Sequence, residues 1–110
     1  MERTDRIAEE IKKVISDVIQ NELKDPRVKG LISVTKVFIT KDLKYCKIYI
    51  SVLGADKKEV LEGIKSGAGY MRKELGNRIE IRILPELQFI IDDSLEYGAH
   101  IDQVIKEINN

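Results

Sequence analysis

Residues 60–76, VLEGIKSGAGYMRKELG, carry a helical pattern of apolar residues that two glycines interrupt near its centre. The apolar positions recur at helical spacing and comprise Val60, Leu61, Ile64, Ala68, Met71 and Leu75. A glycine in a helix interior costs about 1 kcal/mol relative to alanine, so Gly67 and Gly69 mark a break. We therefore predict two helices that meet at a kink over residues 67–69, with Gly76 as a left-handed residue that ends the second helix.

Upstream of the kink, the sequence predicts a first helix and a turn. Apolar residues recur at helical spacing from Ile7 to Leu23, and Thr4 is placed to cap the start of this helix. The helix should end before Pro26, because the residue that precedes a proline avoids the helical conformation. The segment DPR at residues 25–27 then predicts a turn whose aspartate accepts backbone N–H groups.

Two strands are predicted between that turn and the kink. Residues 31–40 are rich in β-branched side chains, and residues 45–53 alternate between apolar and polar side chains. The first pattern favours a strand, and the second favours a strand with one buried face. Residues 41–44 between them predict a hairpin-like connection, and Asp56 is placed to cap the helix that leads to the kink.

Beyond the kink, the sequence predicts a third strand and a last helix. Residues 79–83 alternate isoleucine with charged residues and residues 87–92 are again mostly apolar, so we predict one strand that Pro85 interrupts at a bulge or edge position. A short helix is predicted from residue 94 or 97 to residue 108. The whole order predicts an α+β fold, namely a single domain over residues 1–110 with a three-stranded sheet covered by helices on one face.

The composition excludes several classes of protein. Apolar residues make up 43% and charged residues 35% of the 110 residues, which is typical of a globular domain. No apolar run approaches the roughly 18 residues of a membrane span, and the charged N-terminus is unlike a signal peptide. One cysteine, Cys46, and one histidine, His100, predict no disulfide and no metal site, and favour a reducing, cytoplasmic location. With no nucleophile–base pair or phosphate loop, we predict no enzyme activity and no cofactor.

The formal net charge is zero, yet the charges are unevenly placed along the chain. Residues 36–47 contain four lysines against Asp42, and residues 65–82 contain five basic residues against two glutamates, whereas the segment after residue 93 is mostly acidic. A local basic patch can bind phosphate groups even on a neutral protein. An ordinary solvated surface explains the same pattern, so charge alone leaves both interpretations open.

The element order, with a glycine break between two helices, resembles a type II KH domain without the Gly-x-x-Gly loop of ordinary KH domains. The GAG kink at residues 67–69 is instead similar to the Ala-x-Gly kink of the ribosome-binding factor A family. The resemblance covers nearly the whole chain, and its other segments are DPR at 25–27, DLKYCKIY at 42–49 and, the most specific, PELQFIIDDS at 85–94. Gly67 stands where the family usually has alanine, which should loosen the kink.

The resemblance implies a type II KH-like fold and a role in ribosome maturation. It implies a cytoplasmic monomer that binds the immature small ribosomal subunit and its precursor rRNA, without membrane association. It further implies that the protein assists late assembly and 5′-end processing and supports cold adaptation. Two alternatives stay open: a general KH-type RNA chaperone, and a protein–protein interaction module with no role in RNA. A comparison of binding to small subunits and to free RNA would test the first, and RNase treatment of the protein's complexes would test the second.

The kink and the cations near it form the predicted RNA site. Small residues would let a phosphate approach main-chain N–H groups, and the dipole of the second helix would attract it. The predicted RNA-contacting residues are Lys65, Ser66, Gly67, Ala68, Gly69, Arg72, Lys73, Arg78, Arg82, Lys36 and Lys47. A simpler interpretation is that the glycines serve helix packing and the cations form a solvated face. Tyr45 and Tyr49 share a strand face and could stack on bases, although half-buried sheet positions explain them more simply.

Overall fold

A computed structural model describes residues 2–94 of the chain. In chain order the elements are α1 (Arg3–Asn21), β1 (Leu31–Ile39), β2 (Tyr45–Leu53), α2 (Lys57–Ser66), α3 (Ala68–Arg78) and β3 (Glu86–Ile91). This order is the α+β arrangement that the sequence predicts, with three helices and three strands in the described part of the chain. The last predicted helix falls outside the described residues.

The three strands form one mixed sheet in the order β1–β2–β3. β1 and β2 are antiparallel, with Ile39 opposite Cys46 and a bulge between Val34 and Lys36. β3 lies parallel to β2 on its other side. A tight hairpin cannot join parallel strands, so α2 and α3 together form the crossover that connects β2 to β3. The kink therefore lies in the middle of a crossover connection.

The alternation of side chains along the strands gives the sheet two different faces. One face packs against the helices in a single core, to which the sheet contributes Ile32, Ile39, Cys46, Ile48, Ile50, Val52 and Phe89. The helices contribute buried residues that include Ile11, Ile15, Val18, Val60, Ile64, Met71 and Leu75. The alternate strand positions make up what we call the open face: Ser33, Lys36, Phe38, Tyr45, Lys47, Tyr49, Ser51, Gln88 and Ile90.

The elements around the kink match the prediction closely. β2 spans Tyr45–Leu53 as predicted, and β1 ends one residue early, at Ile39. Asp56 caps α2 as expected, because its carboxylate accepts a hydrogen bond from the Glu59 N–H at 3.0 Å. These elements were predictable because side-chain alternation and a side-chain cap are both local signals.

The third strand is shorter than the sequence predicts. Residues 79–85 form a loop and β3 begins only at Glu86, so the strand predicted over residues 79–83 is wrong. At the start of β3, the Glu86 N–H donates to the Lys44 carbonyl oxygen at 2.8 Å. Pro85 is buried and has no N–H to donate, so pairing with the neighbouring strand starts after it.

Two helix ends also differ from the prediction. α3 continues past Gly76 to Arg78, so Gly76 does not end the helix. A Cβ at Gly76 would lie 3.3 Å from a methyl carbon of Leu84, so the missing side chain leaves room for the following loop. α1 begins at Arg3 with Glu2 in the capping position, and the prediction of Thr4 as the cap is therefore wrong.

Candidate nucleic-acid interface

The kink predicted at residues 67–69 is present, and Gly67 alone separates α2 from α3. Its φ of −92° and ψ of 5° lie outside the left-handed region, so this backbone does not itself demand glycine. The Gly67 N–H donates to the Ile64 carbonyl oxygen at 3.0 Å, and the Gly67 carbonyl accepts from the Met71 N–H at 3.0 Å. The break is therefore one hydrogen-bonded turn between two helices.

Close packing explains why Gly67 has no side chain. A Cβ at Gly67 would lie 2.7 Å from Cδ2 of Leu23, in the segment after α1. The neighbouring Ser66 hydroxyl lies 2.7 Å from the Gly63 carbonyl oxygen and 3.2 Å from Oδ2 of Asp25. These contacts fasten the end of α2 to the segment that follows α1, so Gly67 and Ser66 serve the fold whether or not they contact RNA.

The DPR segment at residues 25–27 forms the predicted turn and braces the kink. Asp25 accepts hydrogen bonds from the Arg27 backbone N–H at 2.9 Å and from the Arg27 guanidinium at 2.7 and 3.0 Å. The guanidinium holds the pKa of the Asp25 carboxyl far below its usual range. A Cβ at Gly63 would lie 2.9 Å from Val28 and 3.0 Å from Arg27, so α2 packs tightly on this turn.

The opposite side of the kink is open. A Cβ at Gly69 would meet nothing within 4 Å, and Gly69 is exposed in the first turn of α3. Lys65 and Lys73 are also exposed, and neither ammonium has a carboxylate of the described residues within 4.0 Å. Ala68 is half-buried and packs against the core. The kink thus combines an accessible main chain with two cations that are not neutralised.

Arg72, a predicted RNA contact, is used within the fold. It donates from Nε to the Pro85 carbonyl oxygen and from Nη2 to the Leu84 carbonyl oxygen, both at 3.1 Å. These bonds hold the loop before β3 against α3. The side chain that the sequence predicted for phosphate binding therefore already has two partners in the protein.

Arg78 is likewise used within the fold. It contacts three carboxylates, those of Glu22, Glu74 and Asp17, and these contacts raise the pKa of Arg78 further above its usual value. The Arg78 guanidinium holds the pKa of Glu74 below its usual value, and hydrogen bonds from Asn21 and Arg78 do the same for Asp17. Arg78 is therefore neutralised inside the protein.

The remaining predicted residues lie apart from the kink. Arg82 is in the loop after α3, where it lines a shallow hollow with Arg3 and Glu80. Lys36 and Lys47 lie on the open face of the sheet, on the side away from the helices. The structure therefore brings together Lys65 to Gly69 with Lys73, and places the other cations elsewhere.

Sequence reasoning missed two parts of this surface. The first is Glu22, which accepts a hydrogen bond from the Tyr70 hydroxyl beside the kink and helps raise the pKa of Tyr70 to about 12. That contact joins residues 48 positions apart, so no local pattern announces it. The second is Phe38, which stands 51% exposed on the open face. Its position two residues after Lys36 was a usable signal, because alternate residues of a strand share a face.

Residues 2–94 contain neither a metal-binding cluster nor a membrane-spanning helix, and their cysteine lies in the core. Within that range, no three His, Cys, Asp or Glu side chains come together in a way that would hold a metal ion. Burial raises the pKa of the Cys46 thiol to about 12, which keeps it protonated and unreactive at neutral pH. Within the same range no helix is both long and apolar enough to cross a membrane.

Comparison with known proteins gives consistent matches. The sequence model of the ribosome-binding factor A family matches residues 3–105. A ribosome-binding factor A from Acetivibrio thermocellus is 54% identical over 109 residues, which cover 97% of this chain and 89% of the relative.

Solved structures match the fold as well. The crystal structure of ribosome-binding factor A from Thermus thermophilus superposes with a TM-score of 0.73 at 23% identity, covering 82% of this chain and 97% of that one. A homology model of the Thermus thermophilus factor, fitted into the cryo-EM map of a 30S complex, superposes with a TM-score of 0.66 at 24% identity, covering 78% of this chain and 91% of that one. At these identities the two structures establish the fold.

Proposed function

This chain belongs to the ribosome-binding factor A family, and on that basis we propose that it binds the small ribosomal subunit through rRNA at the kink between α2 and α3. A relative with the same fold has been fitted into a map of a 30S complex, which supports the small subunit as the partner. The observation that carries the proposal is the exposed main chain of Gly69, with Lys65 and Lys73 exposed and without carboxylate partners among the described residues.

The contact at the kink is a phosphate contact. An RNA backbone can approach Gly69 closely because no side chain stands between the main chain and solvent. The first turn of α3 presents the positive end of the helix dipole to that phosphate. Lys65 precedes the kink and Lys73 lies one helical turn beyond Gly69, so each can neutralise a neighbouring phosphate. Contacts of this kind fix the position of the protein on RNA and read little sequence.

The maturation role is part of the same proposal. The protein binds the immature small subunit and its precursor rRNA, assists late assembly and 5′-end processing, and leaves before translation. It does so in the cytoplasm by binding and not by catalysis. The family membership supports this role.

A binding experiment with a double variant tests the proposal. Lys65→Gln together with Lys73→Gln removes both unneutralised cations at the kink. Co-sedimentation with immature and mature small subunits is measured at several salt concentrations. We expect weaker binding, and a dependence of log affinity on log salt that is shallower by about two, one for each lost phosphate contact. The wild-type protein should prefer the immature subunits.

The matched control changes the same net charge on α1. Arg6 and Lys13 are exposed and have no carboxylate of the described residues within 4.0 Å, so Arg6→Gln with Lys13→Gln should leave affinity and slope close to wild type. If the kink variant binds with the same affinity and the same salt dependence as wild type, RNA does not bind at the kink. Equal wild-type binding to both kinds of subunit would contradict the maturation role.

A further inference from the structure

We propose that the hairpin end of the open face is a second RNA-binding surface, where two unpaired bases stack on Phe38 and Tyr45 between lysine side chains. This surface lies on the side of the sheet away from α1, α2 and α3. It is therefore separate from the kink and meets a different segment of RNA. The ligand is single-stranded RNA, recognised by base stacking and by charge.

Two aromatic rings stand out from the sheet at this end. Phe38 is 51% exposed and Tyr45 is 46% exposed, although buried apolar side chains lie on the other face of the same strands. Residue Thr40 is opposite Tyr45 in the continued register, so Phe38 and Tyr45 are diagonal neighbours across β1 and β2. Diagonal neighbours stand about 7–8 Å apart, which is within reach of two consecutive splayed bases. Exposed rings of this kind are the usual platforms for base stacking.

Lysines alternate with these rings. Lys47 lies directly opposite Phe38, and Lys36 lies directly opposite Tyr49, with the Lys36 ammonium 5.9 Å from the centre of the Tyr49 ring. That ammonium sits over the Tyr49 ring and leaves Phe38 and Tyr45 as the rings available to bases. Both lysines are without a carboxylate of residues 2–94 within 4.0 Å.

The surrounding charge is positive overall. Lys41 and Lys44 in the hairpin connection add two exposed cations. The acidic residues near these lysines are Glu86, paired with Tyr45 in the register, Asp42 in the connection, and Asp92, whose carboxyl pKa is lowered by the Thr35 hydroxyl and also by Lys36. Asp42 accepts hydrogen bonds from the Thr40 hydroxyl at 2.6 Å and from the Lys44 N–H at 3.0 Å, so its carboxylate is occupied by the turn. Four lysines against three carboxylates leave this part of the open face with a net positive charge, which is complementary to a phosphate backbone.

The end of the open face away from the hairpin carries different side chains. There the Thr35 hydroxyl donates to the Asp92 carboxylate at 2.6 Å, which joins β1 to the end of β3 across β2. Ser51 in the same part of the open face is 4% exposed. The exposed rings and their lysines therefore lie at the hairpin end, which has room for about two stacked bases, whereas the exposed Leu31 and Leu53 at the far end offer no ring for stacking.

The mixture of residues favours RNA over a protein partner. The centres of protein–protein interfaces are enriched in aromatic residues but depleted in lysine. Here Lys47 lies directly opposite Phe38 and two residues from Tyr45 along the same strand, an arrangement that suits a ligand with both flat bases and phosphates. The inference takes from the proposed function only that the protein meets RNA, and the following test uses short RNAs so that the two can fail independently.

The test removes the rings and keeps the apolar character of the strands. Phe38→Leu with Tyr45→Leu is compared with wild type by fluorescence anisotropy of a labelled adenosine hexanucleotide and of a 12-base-pair RNA duplex. We expect a loss in affinity for the hexanucleotide of about tenfold for each ring and little change for the duplex. The matched control, Leu31→Ala with Leu53→Ala, changes exposed apolar residues at the far end of the same strands and should bind like wild type.

A second variant tests the same surface in case the ring variant does not fold. Lys36→Gln with Lys47→Gln keeps the rings and replaces each ammonium with a neutral amide, and it should weaken hexanucleotide binding and make its salt dependence shallower. The inference is overturned if wild type does not bind the hexanucleotide, or if the folded ring variant binds it unchanged. A loss of subunit binding with unchanged hexanucleotide binding would also overturn it, and would assign the face to a protein partner. Lys65→Gln with Lys73→Gln tests the kink separately, by subunit binding.

Discussion

The two ends of α3 both carry positive charge, but they hold it in opposite ways. Toward the start of the helix, Gly69 opens to solvent, and Lys73, one turn further on, has no carboxylate of the described residues within 4.0 Å. At the end of the helix, Arg78 forms ion pairs with Asp17, Glu22 and Glu74, which connect α3 to α1 and the residue after it. In the sequence these cations look alike, although one end can attract a phosphate and the other is already neutralised.

The charge of a basic residue is available to RNA only when no partner within the protein already neutralises it. A cation with three carboxylates around it contributes to the fold and adds little to the field that an RNA strand meets. Arg72 is a second example, because its guanidinium is used by two carbonyl oxygens of the loop before β3. The following predictions test whether the two ends of α3 differ as described.

The largest effect is expected from Arg78→Gln at the closed end. The change leaves three carboxylates close together without their common partner, so the free energy of unfolding should fall. Urea denaturation at low salt measures the loss, which should shrink at high salt because screening weakens both the attraction and the new repulsion. Lys73→Gln on the same helix is the control and should leave stability near wild type. Equal stability of the two variants would contradict the proposed difference between the two ends of α3.

Lowering the pH should remove the stabilisation that Arg78 provides, because it protonates the carboxylates that Arg78 contacts. In the folded protein the pKa of Asp17 is lowered by hydrogen bonds from Asn21 and Arg78, and the pKa of Glu74 is lowered chiefly by Arg78. Their contribution is therefore complete above their unfolded pKa values, near 4, and is lost as the pH falls through the lower folded values. The stability gap between wild type and Arg78→Gln should close as the pH drops from about 5 to below about 3. A gap that stays constant over that range would argue against the contacts of Arg78.

The smallest effect is expected at the open end and has the opposite sign. Gly69→Ala places a methyl group in open space within a helix, so it should stabilise the protein by up to about 1 kcal/mol. Gly67→Ala should gain less or lose stability, because its Cβ would press on Leu23 at 2.7 Å. Urea midpoints of the two variants measure the difference. Destabilisation by Gly69→Ala would mean that the start of α3 is not open.

The kink was the part of the site best predicted from sequence. Two glycines in an apolar helical pattern predict a break in the helix, and the break falls at residue 67, within the predicted range. The roles of the two glycines were not predictable. Gly67 packs against Leu23, which is far from it in sequence, whereas Gly69 faces nothing. The distinction depends on which neighbour the fold places beside each one.

Among the strands, one was predictable from its local pattern and another depended on its partner in the sheet. Both ends of β2 were predicted correctly. A strand with one buried face alternates apolar and polar residues, and this pattern is visible in the sequence. The alternating pattern at residues 79–83 gave a false strand, because a strand also needs a partner and these residues have none in the sheet. The true β3 starts where Glu86 can reach the Lys44 carbonyl oxygen.

The helix–strand order, the kink and the family were predictable from the sequence, because periodicity, glycine content and the segment at residues 85–94 are properties of neighbouring residues. Which cations remain available depends instead on how the chain packs. The partners of Arg78 and Arg72 lie up to 61 positions away, and a contact over such a separation forms only when packing brings the two groups together. The same packing turned Phe38 and Tyr45 outward with lysines beside them on the open face.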